Sequence, residues 1–186
     1  PSSPHTSFSP QYFVTLLKAR LLLPLTALDE SHRCIACNNN ASTVFHAFNC
    51  SRTNRLRTQR HDQVLSLIAG SSCFEAEIRR NDSNLRPDLS SPDEIADIRI
   101  VGGSSKSLAI SIANAEAHKA QKYAHLNQNF TPLIFTTLGG LSENTKDWLV
   151  RNKLSNLTTT CSCTIAKESV KNYRAYAGIV NNILSP

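Results

Sequence analysis

Residues 94–103 have the sequence EIADIRIVGG, which alternates isoleucines with polar side chains and ends at two glycines. This pattern predicts a β-strand followed by a turn. Asp97 lies in the middle of the apolar stretch, where a carboxylate needs a partner or a function. Because alternate residues of a strand share a face, Asp97 and Arg99 are expected on the same side of the sheet.

The segments around this strand alternate between strand and helix patterns. CFEAEIRR (73–80) and TPLIFTTLGG (131–140) predict two more strands, and the alanine-rich stretch at 106–127 predicts a long helix. Further helices are predicted at 10–23, 59–70, 143–154 and 165–184. Alternating strands and helices of this kind predict an α/β (α+β) domain with a mixed sheet flanked by helices.

Upstream of the sheet, the segment CIACNNNASTVFHAFNC (34–50) contains three thiols and one imidazole: Cys34, Cys37, His46 and Cys50. Zn²⁺ prefers four such ligands in a tetrahedron, and this spacing supplies them from one short loop. Because so short a loop has almost no core of its own, metal binding is expected to supply most of its folding free energy. The sequence therefore predicts a tail and helix at 1–31, a small zinc-knuckle appendage at 32–52 and a main domain at 53–186.

The cysteine count leaves a second interpretation open. Six cysteines and five Asn-x-Ser/Thr sequons are also compatible with a secreted domain that has three disulfides. Cys73 is expected in the core, whereas Cys161 and Cys163 are too close in sequence for an unstrained disulfide or a zinc pair. The CxxC spacing followed by a His/Cys pair favours zinc.

The chain has a net charge of +6 and a sequence pI near 9.2, which favour a polyanionic partner. Residues 51–61 (SRTNRLRTQRH) contain four arginines and no acid. They form either a solvated linker or a stripe that contacts phosphates through Arg52, Arg55, Arg57 and Arg60. The apolar run at 21–27 is too short to span a bilayer, so no membrane partner is expected. The absence of methionine suggests a piece of a longer polypeptide.

Two aspartates and two lysines form a candidate catalytic set. Asp88 follows Arg86 and Pro87, and Asp88 and Asp97 would together suit a hard cation such as Mg²⁺. Lys119 and Lys122 lie one turn apart on the next predicted helix and would stabilise charge on a scissile phosphate. The alternatives are a turn aspartate, a strand ion pair and solvated lysines.

The ordered set of motifs resembles the C-terminal region of non-LTR retrotransposon polyproteins that contain a restriction-like endonuclease. That family has a CCHC knuckle, an Arg-His-Asp/Asn element, a Lys/Arg-Pro-Asp element, a strand aspartate and a helix with Lys-x-x-Lys-Tyr. The matching residues here are Cys34, Cys37, His46 and Cys50; Arg60, His61 and Asp62; Arg86, Pro87 and Asp88; Asp97; and Lys119, Lys122 and Tyr123. The similarity covers about residues 12–150.

For the site, the resemblance implies a PD-(D/E)xK nuclease fold over residues 53–186, in which Asp88 and Asp97 hold Mg²⁺ or Mn²⁺. Lys119 or Lys122 would replace the lysine usually found two residues after the second acid, where this chain has Arg99. His61 would orient water or contact a phosphate. The other acids that remain open as contributors are Asp93, Glu94, Glu75 and Glu77, the last two also being typical of solvent-facing strand positions.

For function, the resemblance implies an endonuclease that nicks target DNA in the nucleus. The 3′ hydroxyl of the nick would prime reverse transcription by a polymerase domain of the same polyprotein. The expected partners are target DNA, element RNA and that polymerase domain, with phosphate contacts from the four arginines above and from Arg86. The alternatives are an eroded, non-catalytic nucleic-acid-binding module and the secreted disulfide domain.

Overall fold

The structure is a computed structural model that describes residues 7–21, 33–38, 44–76, 85–102, 105–126 and 128–184. Its helices are α1 (Pro10–Arg20), α2 (Asn54–Ala69), α3 (Ser105–Tyr123), α4 (Glu143–Arg151) and α5 (Leu157–Leu184). Its strands are β1 (Glu75–Ala76), β2 (Leu89–Ser90), β3 (Glu94–Val101) and β4 (Asn129–Thr136). Short 3₁₀ turns lie at Val44–His46 and Ser51–Thr53.

The four strands form one mixed sheet in the order β1-β2-β3-β4. β1 and β2 are antiparallel, β2 and β3 are antiparallel, and β3 and β4 are parallel. α3 makes the crossover that a parallel pair requires. β2 pairs only with Ile95 and Ala96, whereas β4 pairs with β3 along its whole length. The mixed sheet flanked by helices confirms the predicted α/β class.

Both faces of the sheet are covered by helices. Ala96, Ile98 and Leu133 pack on one face against α2, α4 and α5, where Trp148 is fully buried. Val101 and Ile134 pack on the other face against α3. At about 25 cal/mol per Å² of buried apolar surface, these two layers supply the main stabilisation of the domain. The alternation along β3 therefore directs Asp97 and Arg99 toward α3.

The element bounds depart from the predicted ones at several places. α2 begins at Asn54 instead of residue 59, and α5 begins at Leu157 instead of residue 165. Cys161 and Cys163 therefore lie inside α5 and not between two helices. β4 ends at Thr136 because the chain turns at Gly139, whose φ of 85° suits glycine. Of the strand predicted at 73–80, Glu75–Ala76 is a strand and residues 77–80 lie outside the described part.

The helix α1 packs on α5 but leaves most of its apolar side chains exposed. Ala19 is buried, whereas Phe13 is 58% exposed and Leu17 43% exposed. The predicted apolar face of α1 is therefore only partly covered in this chain. Among the described residues, the helices are too short or too polar to serve as membrane spans.

Candidate functional site

The predicted zinc ligands converge in the structure. The ligand atoms of Cys34, Cys37, His46 and Cys50 all lie within 4.8 Å of one another. The Cys34 and Cys50 Sγ atoms are 3.9 Å apart, and Cys37 Sγ is 3.4 Å from His46 Nε2. Tetrahedral zinc with bonds of roughly 2.0–2.3 Å needs ligand atoms about 3.3–3.8 Å apart. The cluster is therefore a possible Cys₃His zinc site.

Local backbone geometry brings the first two thiols together. Asn38 donates its backbone N–H to the Cys34 carbonyl at 2.6 Å and has a φ of 58°. Asparagine tolerates this left-handed conformation better than most residues. The resulting tight turn places Cys34 and Cys37 on the same side of the loop.

Burial makes a nearby cation necessary for the Cys50 thiol to act as a thiolate. Burial is the main cause that raises the pKa of Cys50 to about 12, and the neighbouring Cys37 and Cys34 raise it further, against a backbone hydrogen bond from Arg52. Burial also lowers the pKa of His46, which favours the neutral imidazole that binds metals. A bound Zn²⁺ would supply the positive charge that the thiolates lack.

The cluster is not the separate appendage that the sequence predicted. Cys34 and Cys50 are buried with Tyr176 and Val180 of α5, and Cys34 Sγ lies 3.6 Å from the Tyr176 hydroxyl. His46 also makes an edge contact with the Tyr176 ring. The knuckle therefore shares a core with the main domain, and α5 covers the Cys/His cluster.

The six cysteines form no disulfide in the structure. The closest approach described, 3.9 Å between Cys34 and Cys50, is far beyond a disulfide bond of about 2.05 Å. The structure gives no support to the three-disulfide alternative. Cys73 is exposed, so its predicted place in the core is wrong; it follows α2 in a surface turn.

The predicted catalytic residues meet at the junction of β3, α2 and α3. Asp88 Oδ2 accepts hydrogen bonds from the Ile98 backbone N–H at 2.6 Å and from His61 Nε2 at 3.0 Å. Asp97, only 2% exposed, is directly ion-paired with Lys119. Because Ile98 follows Asp97 in β3, the contact with its N–H places Asp88 at the β3 edge next to Asp97. The structure thus brings together Asp88, Asp97, Lys119 and His61.

Tyr123 completes this cluster, and no role was assigned to it from the sequence. Its hydroxyl donates to Asp97 Oδ1 at 2.6 Å and lies 3.1 Å from the Arg86 carbonyl. Burial, and then the charge of Asp88, raise the pKa of Tyr123 to about 12, so the hydroxyl remains a donor at neutral pH. Its position directly after Lys122 in the Lys-x-x-Lys-Tyr motif was the available signal.

The two lysines of the motif have different positions. Lys119 contacts the Asp97 carboxylate, whereas Lys122 Nζ donates to the Tyr123 hydroxyl at 2.9 Å and lies 4.6 Å from the centre of that ring. Burial lowers the pKa of Lys119, against the opposing charge of Asp88. Lys119 is therefore in direct contact with the Asp97 carboxylate and also feels the charge of Asp88.

His61 bridges two acids. Its Nδ1 lies 3.1 Å from Asp62 Oδ1, while its Nε2 contacts Asp88. Burial opposes protonation of the ring, but the hydrogen bonds and charges of Asp88 and Asp62 outweigh it and raise the His61 pKa above its usual value. His61 therefore holds Asp88 in place from α2.

The predicted arginine stripe divides into two groups. Arg52, Arg55 and Arg86 have exposed side chains, and Arg57 is half-buried. Arg60 is only 2% exposed; its Nη1 donates to Ser169 Oγ at 2.8 Å and its Nη2 to Asn49 Oδ1 at 3.0 Å. These partners fix the Arg60 guanidinium inside the fold, so Arg60 does not belong to the exposed part of the predicted stripe.

The alternative acids lie away from the cluster. Glu94 accepts from Thr131 at 2.6 Å and from Arg151 at 3.3 Å, at the start of β3. Asp93 is exposed in the preceding turn, and Glu75 is exposed on the edge strand β1. Glu77 lies outside the described residues. The described geometry thus favours Asp88 and Asp97 over these acids.

A polar cleft adjoins the cluster. It has a volume of about 850 Å³ and lies between α2 and α3, over the β3 residues Ile98–Val101. His61 and Ile98, which both hydrogen-bond Asp88, belong to its wall, so the cleft reaches the residues that hold this carboxylate. Neither a protein-family model nor a curated protein matches this chain.

Proposed function

We propose that this chain is a divalent-metal-dependent DNA endonuclease domain of the restriction-like class with a structural zinc knuckle. The observation that supports the proposal is the convergence of Asp88, Asp97, Lys119 and His61 at one point of the fold. These residues lie up to 58 positions apart in the sequence, from His61 to Lys119. His61 contacts Asp88, Asp88 accepts from the N–H of Ile98 directly after Asp97, and Lys119 contacts Asp97. Such a convergence of carboxylates and a lysine beside a polar cleft is typical of phosphodiester hydrolysis.

The residues fit a hard cation because Asp88 is bound at the β3 edge next to Asp97 and Asp97 is almost fully buried. In this proposal Asp88 and Asp97 hold Mg²⁺ or Mn²⁺, which neutralises charge on the phosphate and activates water. Lys119 stabilises the charge that develops on the phosphate. Tyr123 positions Asp97, and His61 positions Asp88. The wider fold is then a restriction-endonuclease-like arrangement over residues 53–186.

The biological setting follows the same proposal. The domain nicks target DNA in the nucleus, and the nick primes reverse transcription by a polymerase domain of a non-LTR retrotransposon polyprotein. The exposed Arg52, Arg55 and Arg86, together with Arg57, contact nucleic-acid phosphates. The motif order from Cys34 to Tyr123, as in the family that the chain resembles, supports this setting.

The test is nicking of supercoiled plasmid DNA with Mg²⁺ or Mn²⁺. Asp97→Asn and Asp88→Asn are expected to reduce the rate by at least about 10²–10³-fold, because each removes a metal-binding charge. The matched control is Asp93→Asn, which removes the same charge from an exposed turn. DNA binding in Ca²⁺ should persist in all three variants. Undiminished nicking by Asp88→Asn and Asp97→Asn would refute the assignment.

One observation favours a second function, that of an eroded, non-catalytic nucleic-acid-binding module. Both carboxylates already have protein partners, Lys119 and Tyr123 for Asp97 and His61 for Asp88. An acid pair satisfied by protein groups is stable without a cation. Such a module would show salt-sensitive DNA binding but no metal-dependent nicking in the wild-type protein.

A further inference from the structure

The cleft between α2 and α3 has a lining that selects for anions. Its charged lining side chains are Arg57, Arg60 and Arg99, together with the titratable His61 and His118, and no carboxylate lies among its lining residues. The remaining polar lining side chains are amides and hydroxyls of Asn49, Asn54, Thr58, Ser111 and Asn114. A concave surface lined by positive charges concentrates the electrostatic field and attracts a polyanion.

A buried cation gives the cleft a built positive wall. Arg60 is 98% buried, and its described hydrogen bonds go to neutral acceptors on Phe48, Asn49 and Ser169. Its Nε is buried without a hydrogen-bond partner in the described part of the chain. Burial is the main cause that lowers the Arg60 pKa to about 10, and the charge of the buried Glu168 opposes it, so the group remains charged at neutral pH. Arg60 therefore adds positive charge to the wall of the cleft, partly balanced by Glu168.

The floor of the cleft adds backbone donors. β2 covers β3 only as far as Ala96, so the edge of Ile98–Val101 opposite β4 has no paired strand among the described residues. The Ile98 N–H points to this edge, since it donates to Asp88. The Ile100 N–H points the same way, because alternate residues of a strand direct their amides to the same edge. An unpaired strand edge offers donors to a ligand.

We propose that this cleft binds two or three unpaired nucleotides of one strand, directly beside the phosphate at the Asp88–Asp97 cluster. The volume of about 850 Å³ is that of a pocket that encloses a small ligand and not a duplex. Arg57, Arg99 and the strand edge contact backbone phosphates, and Asn114 contacts base edges. The proposal rests on the proposed nuclease function and names the form of substrate that the site holds.

The consequence is a requirement for locally opened DNA. A phosphate on a strand inside the cleft reaches the carboxylates, whereas the same phosphate in a continuous duplex is held outside by the second strand. Both single-stranded DNA and single-stranded RNA have the shared backbone chemistry, so either would enter. The recognition of bases by amide side chains is secondary to the phosphate contacts.

The experiment measures binding of fluorescent oligonucleotides by anisotropy in Ca²⁺, where cleavage does not occur. The variant is Arg57→Ala combined with Arg99→Ala. The matched control is Arg151→Ala combined with Arg174→Ala, which removes two exposed charges away from the cleft. The probes are a single-stranded DNA, a single-stranded RNA of the same sequence and the corresponding blunt duplex.

The cleft variant is expected to bind the single-stranded DNA about tenfold more weakly than the control does. For this variant, the slope of log binding constant against log salt concentration should decrease in magnitude by about 1–1.5, since two phosphate contacts are lost. Equal affinity of the cleft and control variants for single strands overturns the proposal, as does a loss confined to the duplex. The RNA probe shows whether both polynucleotides enter the cleft.

The same assay separates this proposal from the nuclease proposal. Cleft-dependent single-strand binding without Mg²⁺-dependent nicking supports the cleft and refutes the nuclease. Nicking that persists with unchanged binding by the cleft variant supports the nuclease and refutes the cleft. A third variant, Arg99→Lys, retains the charge at position 99. It should therefore retain most of the single-strand binding that the double alanine variant loses.

Discussion

Arg60 donates a hydrogen bond from Nη2 to Asn49 Oδ1 across 3.0 Å, and this contact joins the Cys/His loop to the helix that positions His61. Asn49 lies directly before the ligand Cys50, and Arg60 lies directly before His61. Asn49 Nδ2 also donates to the Phe45 carbonyl at 3.4 Å and contacts Gly102, where an added Cβ would overlap the amide. The Cys/His loop is therefore connected to the helix of the candidate catalytic cluster through the side chains of Asn49 and Arg60.

Replacing Asn49 by alanine should destabilise the whole domain. Asn49→Ala removes an acceptor from the buried Arg60 guanidinium, and an unsatisfied buried donor costs about 1–3 kcal/mol. Urea denaturation gives the change in the free energy of unfolding. Asn144→Ala on the exposed first turn of α4 is the matched control and should change it by less than about 0.5 kcal/mol. Equal stability of the two variants would contradict the role of this contact.

Removal of zinc should loosen α5 as well as the loop. The protein is expected to bind about one Zn²⁺, and chelation should lower the melting temperature, because the ligands are buried against Tyr176 and Val180. Hydrogen exchange should increase in the α5 segment around these two residues. Cys50→Ser should reproduce the loss of zinc, whereas Cys73→Ser, at an exposed thiol, should retain full zinc content. A melting temperature unaffected by chelation would exclude a structural role for the metal.

The His61 ring should titrate above the pH of a peptide histidine when no divalent metal is present. Burial disfavours the protonated ring, but Asp88 and Asp62 outweigh it and raise its pKa. Because the folded-state pKa is raised, the stabilisation is complete below the unfolded pKa of about 6.5 and is lost as the pH rises through the folded value. An NMR titration of the ring measures the pKa directly.

Two changes are expected to lower this His61 pKa: Asp88→Asn, and saturation with Mg²⁺ at the two carboxylates. The control Asp93→Asn should leave it unchanged. If Asp88→Asn has no effect on the titration, the contact between His61 and Asp88 is absent in solution.

The two lysines of α3 should differ in their importance for nicking. Lys119→Met removes the ammonium beside Asp97 and is expected to reduce the rate on the order of 10²-fold or more. Lys122→Met removes a contact to the Tyr123 hydroxyl and should reduce it less than about tenfold. Plasmid nicking measures both rates, with melting temperatures to verify folding. A larger loss for Lys122→Met would reverse the assignment.

The cysteines outside the zinc cluster should react at different rates. Cys73 is exposed and should be alkylated quickly by iodoacetamide in the native protein. Cys161 is fully buried in α5, and burial raises its pKa to about 11, so it should react only after unfolding. Mass spectrometry of timed samples gives both rates. Rapid native-state labelling of Cys161 would show that α5 does not cover it.

Local sequence patterns predicted the elements that have clear signals. The isoleucine alternation predicted β3 to within two residues, and the alanine-rich stretch predicted α3. The first two turns of α5 were missed because they begin with Thr158, Thr159 and Thr160, which are poor helix formers. The burial of Leu157, Cys161 and Ile165 against the sheet overrides that preference.

The site shows the same division between local and tertiary information. The Cys₃His cluster could be predicted from residue type and spacing, because zinc ligands must be of certain types at close spacing. The burial of Arg60 was missed because its partners Ser169 and Asn49 lie 109 and 11 residues away. A pattern within residues 51–61 contains no information about such distant acceptors.

The cover that α5 forms over the Cys/His cluster has a consequence for the order of events during synthesis. Cys34 and Cys50 leave the ribosome more than a hundred residues before Tyr176 and Val180, which bury them. Until those residues emerge, the nascent chain presents open thiols that can capture zinc or become oxidised. Completion of the metal site therefore depends on nearly the whole domain having been translated, and products truncated before Tyr176 would retain exposed, oxidation-prone thiols.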